Sequence, residues 1–153
     1  MKDKKDGFGN WVNFLWPLII LGLFFLARPY IQKSGGGVGE KLYTTHCLNC
    51  HQEDGKGVRG LVPPLANSDY LTQYQQELPC LIRNGKSGEI FVNGRSFNHP
   101  MPPNRVLTDA QIYNIIRYIN QLWKFTDQEM NLTEVKTILE TCASELPKQK
   151  PDL

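Results

Sequence analysis

Soft metal donors are scarce in this chain: 153 residues contain four cysteines, three methionines and three histidines. Any site built from them draws on few side chains. Cys47 and Cys50 form a CxxC pair, whereas Cys80 and Cys142 stand alone. A structural zinc site would want a second pair at a suitable spacing, and there is none. A thioredoxin-like redox pair would want a βαβ setting, which is also missing. Nor is there a charge of one sign. Seventeen Lys and Arg against fifteen Asp and Glu leave a formal net charge of +2. Without a basic stripe there is no nucleic-acid footprint. Residues 1–37 carry five basic and two acidic side chains, and the remainder twelve and thirteen. Steering by a strongly acidic partner therefore has no support.

What is present begins at Cys47-Leu48-Asn49-Cys50-His51. Each thiol can add to one haem vinyl group, and the adjacent histidine is placed to ligate the iron from the proximal side. Two intervening residues let one helical turn reach both vinyls. The motif thus calls for one covalently attached haem c. Upstream, Val38 to His46 has no proline, and Leu42, Tyr43 and His46 fall at helical spacing. Downstream, Thr108-Asp109-Ala110-Gln111 is a capping-box start. It opens an apolar stripe of Ile112, Ile115, Ile116, Ile119 and Trp123.

A second iron ligand should be soft or an imidazole. Met1 is the initiator and Met130 lies beyond the last helix of the core, which leaves Met101 in His99-Pro100-Met101-Pro102-Pro103-Asn104. Three prolines limit the freedom of that loop. A stiff loop needs less bond energy to stay closed on iron through a weak thioether bond. Met101 is the expected distal ligand. His99 is the competitor, and a bis-histidine site would have a lower potential.

Gly39 lies eight residues before Cys47 and Tyr43 four before it. With the ligand motifs, these make residues 38–123 resemble the class I monohaem cytochromes c. The resemblance implies a mostly α fold with three main helices around one covalently bound haem. It also implies that the last helix crosses the first near Gly39, through Tyr118 or Ile119. Gly60-Leu61-Val62-Pro63-Pro64-Leu65 resembles the family loop in which a proline carbonyl accepts the proximal histidine Nδ1–H. The role falls on Pro63, with Pro64 as the alternative. Between the ligands, Ser68 can cap a helix through about Gln76, and Pro79 can open another that Gly85 ends. Glu89–Val92, Asn93-Gly94 and Arg95–Phe97 read as a hairpin with a type I′ turn.

Four segments follow. Residues 1–31 are a cytoplasmic N-terminus and a single transmembrane helix. Residues 32–37 are a Gly-rich linker, 38–125 the haem domain, and 126–153 an extra C-terminal helix and tail. The apolar run from Phe8 to Ala27 has twenty residues, enough to cross ~30 Å of hydrocarbon. Lys2, Lys4 and Lys5 argue that the N-terminus stays in the cytoplasm. The rival is a cleaved signal peptide, for which Ala27-Arg28-Pro29 is a poor cleavage context. Either way the haem domain is expected on the periplasmic side of a bacterial inner membrane. There, Cys80 and Cys142 are candidates for a disulfide, with two buried free thiols as the other possibility. The linker reaches roughly 13 Å, which keeps the haem near the membrane. The chain therefore reads as a single-electron carrier, not an enzyme, passing electrons from a quinol-oxidising complex towards a terminal oxidase. An accessory subunit of such a complex fits as well. A peroxidase would want a displaceable distal ligand with acid–base groups, and a haem-based sensor a fused output domain.

Overall fold

The computed structural model describes residues 16–23 and 37–145. The chain divides into two compact units, 1–36 and 37–153. In the first, residues 16–23 are helical, and Trp16, Leu18, Ile19, Ile20, Leu21 and Leu23 are all exposed. Among the described residues no helix is long and apolar enough to cross a membrane. The rest of the 8–27 run expected to enter the bilayer, the linker up to residue 36 and the tail from residue 146 lie outside the described residues.

The second unit is mostly helical. Its elements are α1 (Val38–His46), α2 (Leu48–His51), α3 (Asp69–Gln73), a 3-10 turn (Gln75–Glu77) and α4 (Leu78–Asn84). A hairpin of β1 (Ile90–Val92) and β2 (Arg95–Phe97), then α5 (Asp109–Trp123) and α6 (Leu132–Glu145), complete it. The α5 start is a reciprocal capping box. Gln111 N–H donates to Thr108 Oγ1 at 3.3 Å, and Thr108 N–H donates to Gln111 Oε1 at 2.8 Å. Its four isoleucines are all buried.

Helix α1 crosses α5 at Gly39. A Cβ built on Gly39 would lie 2.7 Å from Tyr118 Cβ and against the Asn114 carbonyl. Tyr118, not Ile119, is therefore the crossing residue, and only a glycine lets the two helices come this close. Tyr43 fills the adjoining space, its ring 5.7 Å from Tyr118 and 5.8 Å from Trp123. Its hydroxyl donates to the Gln52 carbonyl at 2.7 Å, which ties α1 to the chain just past His51.

Helix α3 begins at the Ser68 cap as expected, Leu71 N–H donating to Ser68 Oγ at 3.3 Å. It stops at Gln73, short of Gln76. The backbone leaves the helical region at Tyr74, passes through the Gln75–Glu77 turn and restarts in α4, where Pro79 stands in the first turn and no intrahelical N–H is missed. The hairpin turn is type I′, with Asn93 at φ 51° and Gly94 at φ 71°. Asn93 also pins the turn to α3: its N–H donates to Asp69 Oδ1 at 2.7 Å, and Asp69 N–H donates to Asn93 Oδ1 at 3.1 Å.

Helix α6 shares the haem-domain core. Glu134 N–H donates to Asn131 Oδ1 at 3.0 Å, and Asn131 N–H donates to Glu134 Oε2 at 2.8 Å. This cap occupies the Asn131-Leu132-Thr133 stretch. Val135 and Leu139 are buried in one cluster with Leu78, Ile82, Ile112, Phe125 and Met130. Met130 is thus ordinary core. A disulfide joins Cys80 of α4 to Cys142 of α6, with Cα atoms 6.1 Å apart.

Candidate haem-binding site

The attachment motif sits on a single turn. Helix α1 ends as Cys47 N–H donates to the Tyr43 carbonyl at 2.8 Å. The chain kinks at Cys47 (φ −123°, ψ −31°) and re-enters a helix at once. His51 N–H then donates back to the Cys47 carbonyl at 2.9 Å. Cys47, half-buried, and Cys50, exposed, are not joined to each other. Burial first, and Cys50 nearby second, push the Cys47 thiol up to about 11. A nucleophilic redox cysteine needs the opposite shift. Among the described residues no cluster of three or more His, Cys, Asp or Glu could hold a metal ion. The geometry therefore disfavours both the zinc and the thioredoxin-like readings.

His51 is held by the loop that follows it. Gly57 N–H donates to the His51 carbonyl at 3.1 Å, and Gly55 O accepts from Leu65 and Ala66 at 2.7 and 3.0 Å. Gly57 has φ +66°, and a Cβ there would lie 2.7 Å from the Pro63 carbonyl oxygen. The loop thus folds Pro63 back towards the histidine. His51 Nδ1 is buried and no partner meets hydrogen-bond geometry. Even so, the Pro63 backbone is the one group that raises the His51 pKa. Pro63 is thus the backbone group nearest in effect to the ring, without a formed hydrogen bond to Nδ1. Burial outweighs it and holds the imidazole below the usual histidine range. The neutral ring is the ligating form.

Beyond the hairpin, the Met101 loop is clamped to the end of α4. Met101 and Lys86 exchange backbone hydrogen bonds, Met101 N–H to Lys86 O at 2.8 Å and Lys86 N–H to Met101 O at 3.0 Å. Gly85 (φ +73°) lies so close that a Cβ would come within 2.8 Å of Pro103 N. Asn104 N–H donates to the Ile82 carbonyl at 3.1 Å. Met101 is half-buried while His99 is exposed, so the residue of the pair that the backbone fixes and the fold partly covers is the methionine. Sequence reasoning marks Gly85 only as a helix stop and misses Lys86. The Asn-Gly-Lys run signals a turn, but a single sequence does not say which distant stretch of chain the turn will meet.

A cavity of about 420 Å³ adjoins these loops. Gly57, Val62 and Pro64 line it from the His51 side, Val92 and Phe97 from the hairpin, and Lys56, Arg59 and Arg95 bring positive charge. Neither His51 nor Met101 lines it. Neither Cys47 nor Cys50 lines it, so the cavity flanks the ligand residues and does not outline the place of a macrocycle. The donor set is what fits haem: two unpaired thiols one turn apart, a half-buried imidazole whose Nδ1 is buried, and a thioether on a clamped loop.

The Cytochrome c family model matches residues 38–123. Two relatives, both cytochromes c-552 of Thermus thermophilus, are each 32% identical over 89 residues, 56% of this chain. The match covers 67% of the first and 60% of the second. The chain belongs to the cytochrome c family. Its cofactor is accordingly covalently attached haem c, and its chemistry is electron transfer.

Proposed function

We propose that this chain is a membrane-anchored single-electron carrier with His51 and Met101 as axial ligands. Cys47 and Cys50 form the thioether attachments, and Pro63 is the acceptor for His51 Nδ1. The bound haem supplies a one-electron Fe(III)/Fe(II) couple. The protein's part is to hold that couple still. His51 presents a neutral ring nitrogen, the Pro63 carbonyl orients the ring by facing Nδ1, and the Lys86 ladder fixes the backbone of Met101. With His51 and Met101 both holding the haem iron, no position would be left for a substrate, which argues for a carrier and against a peroxidase or other enzyme. The observation that carries the reading is the Met101–Lys86 backbone pair beside an exposed His99.

Residues 8–27 anchor the chain in the inner membrane of a bacterium, and residues 32–37 tether residues 38–125 on the periplasmic side. Its donors and acceptors are membrane-bound, a quinol-oxidising complex and a terminal oxidase. Service as an accessory subunit of such a complex is the second form of the same role. Two substitutions test the ligand set. Met101→Ala should keep haem attached, lower the potential and admit carbon monoxide, whereas His99→Ala should leave both potential and carbon monoxide binding unchanged. The reverse pattern would make the site bis-histidine. Detergent extraction tests the tether: the protein should be released from membranes with its mature chain beginning at Met1 or Lys2. A soluble form starting between Ala27 and Gly39 would refute the anchor.

A further inference from the structure

We propose that the Cys80–Cys142 disulfide positions the distal ligand, with α6 acting through α4 as a brace for the Met101 loop. The proposal rests on Met101 being that ligand. Helix α4 has seven residues, too few to be stable by itself, so its place is set by what grips it on either side.

One set of grips leads to the ligand loop. Ile82 O accepts from Asn104 N–H at 3.1 Å, and the Arg83 guanidinium donates to Leu107 O at 2.6 Å and to Asp109 Oδ1 at 2.7 Å. At the end of α4, Gly85 abuts residues 101–103, and Lys86 pairs with Met101. These contacts span residues 101–109, so a shift of α4 carries the methionine with it.

The other set leads to α6. Leu78 and Ile82 are buried in one cluster with Val135 and Leu139. Cys80 is bonded to Cys142, and its Sγ lies 3.6 Å from the Ile138 carbonyl. That contact is not a hydrogen bond, because a disulfide sulfur carries no proton. Apolar packing alone lets a short helix slide or fray. A covalent link between residues 62 apart in sequence holds α4 and α6 together. The family match ends at residue 123, so the brace is built from chain outside the matched region.

The consequence is a population effect. Cutting the link lowers the fraction of molecules whose loop holds Met101 in the ligating arrangement, and an external ligand competes better in proportion. The test is imidazole titration of the ferric full-length holoprotein, well below its unfolding temperature. Cys80→Ala with Cys142→Ala should bind imidazole about three- to tenfold more tightly than the unsubstituted protein, with haem still attached and helix content unchanged. Gly39→Ala, which loosens the domain at a crossing that does not involve α4, should leave imidazole affinity where it was. If a general loss of stability were the cause, both variants would move alike, and the proposal would fail. In a Met101→Ala background the cysteine substitutions should add nothing further.

If Met101→Ala itself leaves imidazole affinity unchanged, the ligand assignment is wrong, and that result is distinct from failure of the brace. Should the double variant not fold, the unsubstituted protein serves. A trialkylphosphine cleaves the S–S bond to two thiols, taking oxygen from water to become the phosphine oxide. Carbon monoxide binding to the ferrous protein should then quicken against an untreated ferrous control. An unchanged rate with the bond demonstrably reduced overturns the proposal.

Discussion

Gly39→Ala sets two effects of opposite sign against each other. Alanine is the better helix former by up to ~1 kcal/mol in a helix interior. The gain is smaller here, because Gly39 is the second residue of α1. Against it, the new methyl would sit 2.7 Å from Tyr118 Cβ and collide with the Asn114 carbonyl. Neither obstacle is the end of a flexible side chain, since one is backbone and the other the root of a side chain packed against Tyr43. Relief requires α1 and α5 to move apart along a buried seam, and overpacking of that kind costs about 1–3 kcal/mol. The steric cost wins, and a net loss of roughly 1–2 kcal/mol follows. For a domain of this size that is about 4–10 °C in Tm. Thermal unfolding followed by far-UV circular dichroism on the holoprotein measures it. Gly39→Val should be worse still, since its second branch has nowhere to go. If Gly39→Ala is as stable as the parent or more so, the crossing is looser than described and helix propensity is the larger effect.

Other expectations follow from the same structure. Removing the 80–142 link should lower stability in denaturant titration by ~4 kcal/mol on the chain-entropy estimate for a loop of this length, whatever its effect on ligand exchange. Thr108→Ala deletes half of the α5 capping box and should cost ~1 kcal/mol in the same assay. Gly85→Ala combines φ +73° with a Cβ 2.8 Å from Pro103 N. It should cost about 1–3 kcal/mol and also weaken Met101 ligation.

Local signals are legible from residues alone. The Thr108 box, the isoleucine stripe and the Asn93-Gly94 turn each depend on neighbours within a few positions, and each lies where the pattern places it. The Ser68 helix is shorter than its own residues suggest: the backbone leaves it at Tyr74 and passes into the Gln75–Glu77 turn before α4 opens at Leu78. Sequence leaves the crossing residue between Tyr118 and Ile119, since both lie near the right face and only the packing chooses. Least legible is the hold on Met101. The prolines announce a stiff loop, but Lys86, Ile82 and Gly85 meet it across the fold through backbone atoms, which leave no mark on side-chain identity.

The central claim is a haem iron closed by His51 and Met101. The optical spectrum of the ferric holoprotein tests it most directly. A weak far-red band from methionine sulfur on ferric iron should be present in the unsubstituted protein, persist in His99→Ala and vanish in Met101→Ala. A ferric spectrum without that band, or one that loses it only when His99 is replaced, would contradict the account.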